Sequence, residues 1–129
     1  MGIALPISIK GIIIENNHVL LLKNDRNEWE LPGGRLEVDE DPEKCLIREI
    51  YEELRLNCMV NCIIDSWVYE VFQGKYVFIV TYLCKCNDTS NVIISEEHLE
   101  YRWVQIEDLD DVIIPEGYKQ SIRSAVLYC

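Results

Sequence analysis

Apolar residues recur along this chain with two spacings, and each spacing predicts a different element. Runs rich in β-branched and aromatic residues cover Ile7–Glu15 and His18–Lys23, on either side of Asn16-Asn17. Asparagine tolerates positive φ, so the pair predicts a tight hairpin between two strands. Residues 24–28 are a polar loop, and Trp29-Glu30-Leu31 is a short strand before Pro32-Gly33-Gly34. The spacing then changes. Leu46, Ile47, Ile50, Tyr51 and Leu54 fall at helical intervals and predict one apolar helix face. Asp41 caps that helix, Pro42 fits its first position, and Glu43 lies at the positive end of its dipole. Two long strand-like runs, 59–72 and 76–86, are joined through Gln73-Gly74-Lys75 as a second hairpin. A polar and acidic loop follows, then a strand over 101–106 and an acidic turn over 107–111. Pro115 opens a last amphipathic helix through Ile122, Val126 and Leu127. This order predicts an α/β (α+β) fold, a mixed sheet with helices packed on it.

Composition narrows the function classes. The 129 residues (15.1 kDa) make one domain, 1–129, and 49% hydrophobic residues suffice for an ordinary core. The net charge is −11 and the pI about 4.5. That balance excludes binding of long nucleic acid through clustered cations, and it disfavours an anionic membrane surface. A phosphate-bearing substrate would need divalent cations to meet such a protein. The apolar start, interrupted by Pro6 and Lys10, is too short to span a bilayer and has no cleavage-site pattern, so a cytoplasmic location is expected.

Six cysteines, Cys45, Cys58, Cys62, Cys84, Cys86 and Cys129, are expected to be free thiols, several of them acting as small core residues. A four-thiolate zinc site from Cys58, Cys62, Cys84 and Cys86 is the rival reading. Neither spacing is the Cys-x2-Cys knuckle of the usual zinc folds.

The predicted first helix has an acidic second face. Glu49, Glu52 and Glu53 stand at i, i+3 and i+4, which puts three carboxylates side by side. Like charges at this spacing repel, whereas a hard divalent cation takes just such oxygen ligands. Gly33-Gly34, ahead of the helix, lets the backbone turn sharply and approach a ligand.

Written out, Gly34-x5-Glu40-x7-Arg48-Glu49-Ile50-x-Glu52-Glu53-x-Arg55-Leu56 resembles the 23-residue signature of the MutT-like Nudix hydrolases, with eight of nine defined positions in register. Composition alone produces such a match less often than about once in a million starting positions. Trp29 to Gly34 is similar to the family's lead-in, and Tyr101-Arg102-Trp103-Val104 with Glu107-Asp108-Leu109 to its late strand and turn. The resemblance implies an α/β/α sandwich around a mixed sheet. It also implies hydrolysis of a nucleoside diphosphate linked to another group, by water attack on phosphorus. Mg²⁺ or Mn²⁺ would be held by Glu49, Glu52, Glu53 and the Gly34 carbonyl, while Arg48 and Glu40 orient the carboxylates. The general base is left among Glu49, Glu97 and Glu100. His98 is a further loop residue, for which a solvated side chain is the plainer expectation. The one departure is Arg55 in place of the last glycine. If that position must be left-handed it costs about 1–2 kcal/mol, and Asn57 is the other residue able to end the helix.

The expected substrate is a small nucleotide, such as a (d)NTP or a nucleotide sugar, with no substrate-binding residue assigned. Trp29, Trp67, Tyr69, Phe72 and Tyr76 are read as packing residues before nucleobase platforms. By parity, Trp67, Tyr69 and Val71 share one strand face and Val68, Glu70 and Phe72 the other. The oligomeric state is left open, a homodimer included. The rival function from another class is a non-catalytic module that senses a nucleotide, which retention of all four box glutamates disfavours.

Overall fold

The computed structural model describes residues 2–128, so Cys129 lies outside the described residues. The elements in chain order are β1 (Ile7–Glu15), β2 (His18–Lys23), β3 (Trp29–Glu30), β4 (Gly33–Arg35), α1 (Pro42–Leu54), β5 (Cys58–Phe72), β6 (Lys75–Cys86), β7 (Glu100–Gln105), a 3-10 turn (Ile106–Asp111) and α2 (Glu116–Val126). The strands form a mixed sheet in the order β3-β2-β1-β6-β5, with β4 paired to β1 and β7 to β2. Only the β1–β6 pair is parallel among these ladders.

Strand β1 organises the molecule. Its first half pairs with β4 (Ile9 opposite Gly34, Lys10 opposite Gly33), and its far end turns through Asn16-Asn17 into β2. Both asparagines take positive φ, as the hairpin requires. The layers follow. Ile9, Ile13, Leu20 and Leu22 pack under Leu46, Ile50 and Leu54 of α1, whereas Ile12, Leu21, Val77 and Ile79 pack under Tyr118, Ile122 and Ala125 of α2. Alternate residues of the same strands thus feed two cores, giving the expected sandwich.

Several local expectations need correction. Ile47 and Tyr51 are exposed and Glu53 is buried instead, because the inward face of α1 is centred on Leu46, Ile50 and Leu54. Val126 and Leu127 are exposed at the end of α2, where Ser121, Ile122 and Ala125 hold the buried face. Gly33-Gly34 is a strand and not only a turn. Cys58 and Cys86 are not free: the antiparallel register puts them directly opposite one another and their sulfurs are bonded. That pairing removes both from any four-thiolate zinc site. Cys45, Cys62 and Cys84 are free. Arg55 itself, not Asn57, takes the left-handed conformation (φ 57°) that ends α1, and its N–H donates to the Tyr51 carbonyl at 2.8 Å. The Arg55 guanidinium lies 5.2 Å from the Tyr51 ring centroid, a contact that offsets part of the backbone cost. Among the described residues, no helix is long and apolar enough to cross a membrane.

Candidate active site

Local sequence puts α1 where it is. The Asp41 side chain accepts from the Lys44 N–H at 3.2 Å, capping the helix as its type and position predict. The helix then runs back across β4, and its carboxylates meet the two glycines. Gly33 has φ +142° and lies so close to Ile9 that a Cβ there would strike the Ile9 carbonyl oxygen. A Cβ on Gly34 would run into the Glu49 carboxyl group. Gly33 therefore needs glycine for its conformation and its backbone clearance, whereas a side chain at 34 would push the Glu49 carboxyl group out of its place.

The three helix carboxylates sit in different surroundings. Glu53 is buried, its Oε1 accepting from the Gly33 N–H at 2.7 Å. Burial pushes its carboxyl up to about 7, against the opposing pull of Lys10 and that N–H. Glu49 is also raised, first by burial and then by the charges of Glu52 and Glu97, while Arg48 opposes the shift. Glu52 is exposed and turned toward Arg48. Among the described residues, no group of three or more His, Cys, Asp or Glu side chains is arranged to hold a metal ion, and Glu52 is paired with Arg48. The donor set still fits a small divalent cation: oxygen donors on one helix face, with a partly buried carboxylate whose like-charged neighbours destabilise its ionised form.

Arg48 is paired more fully than its spacing predicts. Its Nε and Nη2 donate to both Glu40 oxygens at 2.8 and 3.1 Å, and its Nη1 donates to Glu49 at 3.0 Å and Glu52 at 3.3 Å. The bidentate Arg48 pair holds the Glu40 carboxyl down at about 2. Of the loop candidates, Glu97 lies within electrostatic reach of Glu49. Glu100 begins β7 and pairs with Lys23 at 3.4 Å, so it is not brought to the helix carboxylates.

Two residues of the site, Lys10 and Glu30, were given no role by sequence reasoning, and a third, His98, was expected to be solvated. Lys10 is buried on β1 and donates to the Leu31 carbonyl at 3.1 Å and to Glu30 at 3.3 Å. Glu30 accepts from Asn24 at 2.8 Å, and its carboxyl is held down to about 2: burial opposes the shift, and Lys10 with His98 outweighs it. His98 is a half-buried residue whose side chain is covered, not solvated, between Glu30 and Glu53. One signal was available. Lys10 is the sole charge in the apolar stretch 7–14, where a lysine has to be paired to be buried.

Beside Gly34 opens a cavity of about 220 Å³ walled by Ser8, Arg26, Arg35, Tyr69 and Tyr118. The Tyr69–Val71 face of β5 therefore lines the site, with Trp67 stacked edge-on to Tyr118 behind it. Val68, Phe72 and Tyr76 are exposed. A larger cavity of about 420 Å³, between Ile14, Asn61 and Lys85, lies at the opposite end of β1.

Comparison with known proteins bears on the whole chain. The NUDIX domain family matches residues 6–125. Dihydroneopterin triphosphate diphosphatase of Haemophilus influenzae is 27% identical over 125 residues, covering 84% of this chain and 78% of that protein. The fold is similar to the MutT protein from Methanosarcina mazei Go1, with a TM-score of 0.82 and 25% identity over 96% of this chain and 95% of that one. It is also similar to UDP-X diphosphatase, with a TM-score of 0.79 and 21% identity, where it covers 96% of this chain but spans only 62% of the other. A domain match of that extent, on a mixed sheet flanked by helices, means that the chain belongs to the Nudix family and is a hydrolase acting on phosphoric anhydride bonds.

Proposed function

We propose that the chain is a metal-dependent pyrophosphohydrolase that cleaves a small nucleoside diphosphate derivative, a (d)NTP or a nucleotide sugar, by water attack on phosphorus. The observation that carries this reading is the seating of the α1 carboxylates against Gly33-Gly34, where Glu49 occupies the space that a side chain at 34 would need. Glu49, Glu52 and Glu53, with the Gly34 carbonyl, would hold Mg²⁺ or Mn²⁺. When bound, the cation offsets phosphate charge and lowers the pKa of water. The protein supplies the rest. Arg48 fixes the rotamers of Glu49 and Glu52 from the outer side and is itself fixed by Glu40. Of the base candidates, Glu97 and Glu49 are supported by their shared electrostatic field, and the engagement of Glu100 with Lys23 weighs against it. Lys10, Arg26 and Arg35 outweigh Glu30 in the lining of the cavity beside Gly34, in a protein of net charge −11, and that local excess of cations suits an anionic substrate. Tyr69 offers an aromatic wall there for a ring. The named activities of the relatives, a triphosphate diphosphatase and a UDP-X diphosphatase, support the same class of linkage. A cytoplasmic location belongs to the same proposal.

The test is phosphate and pyrophosphate release from a panel of (d)NTPs, nucleotide sugars and dinucleoside polyphosphates, with Mg²⁺ or Mn²⁺ and with chelator. Turnover should need the cation and fall at least a hundredfold in Glu53→Gln. Absence of turnover on every member, with a nucleotide still raising the melting temperature, would replace the enzyme reading by the sensor.

A further inference from the structure

The His98 side chain is only 7% exposed, and both edges of its ring are accounted for differently. Its Nε2 lies 3.3 Å from Glu30 Oε2, and Glu30 is itself clamped by Lys10 and Asn24. Its Nδ1 is buried with no hydrogen-bond partner and faces Glu53 Oε2 at 3.6 Å. That gap is wider than a hydrogen bond but within ion-pair range. The other Glu53 oxygen, Oε1, is taken by the Gly33 N–H. The loop beneath the ring is tied at two places: the Ser95 N–H donates to the Glu53 carbonyl near the end of α1 at 2.9 Å, and the Leu99 N–H to the Lys23 carbonyl at the end of β2 at 3.0 Å.

We infer that His98 is a positioning residue for Glu53, with Lys10 and Glu30 as its anchor. A buried imidazole nitrogen left unpartnered is costly unless something completes it, and the group within reach is the Glu53 carboxyl, which accepts from Nδ1–H when ionised and donates to a bare Nδ1 when protonated. With Oε1 held by a backbone N–H and Oε2 facing a ring that cannot turn, the carboxylate is set in one orientation before any ligand arrives. Orientation fixed in advance raises affinity by removing the ordering cost of binding. Because Glu97 is the preceding residue, the same anchor sets the loop that carries it. This inference rests on the reading of Glu53 as a cation-holding carboxylate.

The experiment measures Mn²⁺ binding to the full chain without nucleotide, by loss of the free-ion electron paramagnetic resonance signal. Three variants are compared, His98→Asn, His98→Gln and His98→Ala. An Asn amide falls near the Nδ1 position and a Gln amide near Nε2, so the pair separates the Glu53 contact from the Glu30 anchor. His98→Ala and His98→Gln should weaken Mn²⁺ binding about tenfold, the usual scale for a group that orients a ligand. His98→Asn should stay within about threefold of wild type even where its melting temperature is the lower of the two. Wild-type affinity in His98→Gln, or better binding by Gln than by Asn, overturns the inference. If His98→Ala does not fold, the Asn and Gln variants decide alone. Failure of the wild-type chain to bind Mn²⁺ at all overturns the proposed metal site and this inference with it, a result distinct from loss of the His98 role alone.

Discussion

Arg48 and Lys10 each gather carboxylates at the same helix, from opposite sides. The Arg48 side chain is 34% exposed, and its partners are Glu40 in the turn before α1, the half-buried Glu49 and the exposed Glu52. The Lys10 side chain is 9% exposed, and its cluster of Glu30, His98 and Glu53 lies inside, between β1, β3, the 95–99 loop and the inner edge of α1. Water reaches Arg48 and Glu52 in the outer cluster and can replace a partner lost there. In the inner one it cannot, so removing one charge strands the others in a poorly solvated place. The outer cluster is thus suited to steering side chains that have to move, and the inner one to holding a carboxylate that must not.

Lys10→Met should have the largest effect. It keeps the apolar length but leaves Glu30 and Glu53 without their cation, and breaking a buried pair in this way costs about 3–5 kcal/mol. Thermal or denaturant unfolding measures it, and a melting temperature close to wild type would mean that the inner cluster is not coupled.

Next in size is the pH response of Glu53, measured in chelator. Its carboxyl is pushed from an ordinary 4.5 up to about 7, so the folded chain holds that proton more tightly than the unfolded chain does. The stability this gives is complete below about pH 4.5 and is lost as pH rises through about 7. Glu53→Gln has no such proton to lose. Its melting temperature relative to wild type should therefore climb between pH 5 and 8, and a constant difference would contradict the buried carboxyl. Glu30 acts in the opposite sense. Held at about 2, it contributes stability above pH 4.5 that disappears as the pH falls toward 2.

Arg48→Gln tests the outer cluster. The melting temperature should fall less than in Lys10→Met, because the Arg48 pairs are only partly buried, while turnover falls tenfold or more because Glu49 and Glu52 lose their common partner. A large stability loss without a change in turnover would reverse the contrast between the clusters. The smallest effect is expected outside both. Arg55→Gly relieves a left-handed residue at the end of α1 and should stabilise the chain by up to about 1 kcal/mol, reduced by loss of the Tyr51 contact.

What could be read along the chain was whatever depends on near neighbours. The Asn16-Asn17 turn, the Asp41-Pro42 helix start and the spacing of Glu49, Glu52 and Glu53 are local facts, and the fold matched them. Arg48 with Glu40 was legible for the same reason, since both lie within one helix and the turn before it. The errors fell where a neighbour comes from elsewhere. Ile47 and Tyr51 have helical spacing but miss the core, because the direction from which the sheet approaches chooses the buried arc. Cys58 and Cys86 are 28 residues apart and meet only through the β5–β6 register.

The chain's own pattern therefore determined the elements, the two-layered apolar code of the strands and the row of carboxylates beside paired glycines, all set by short-range sterics and periodicity. Tertiary structure alone decided which glutamate is buried, which face of β5 lines the cavity, and that Lys10, Glu30 and His98 meet Glu53. Desolvation and charge pairing depend on every atom brought within a few ångströms, and those atoms come from segments that the sequence keeps far apart.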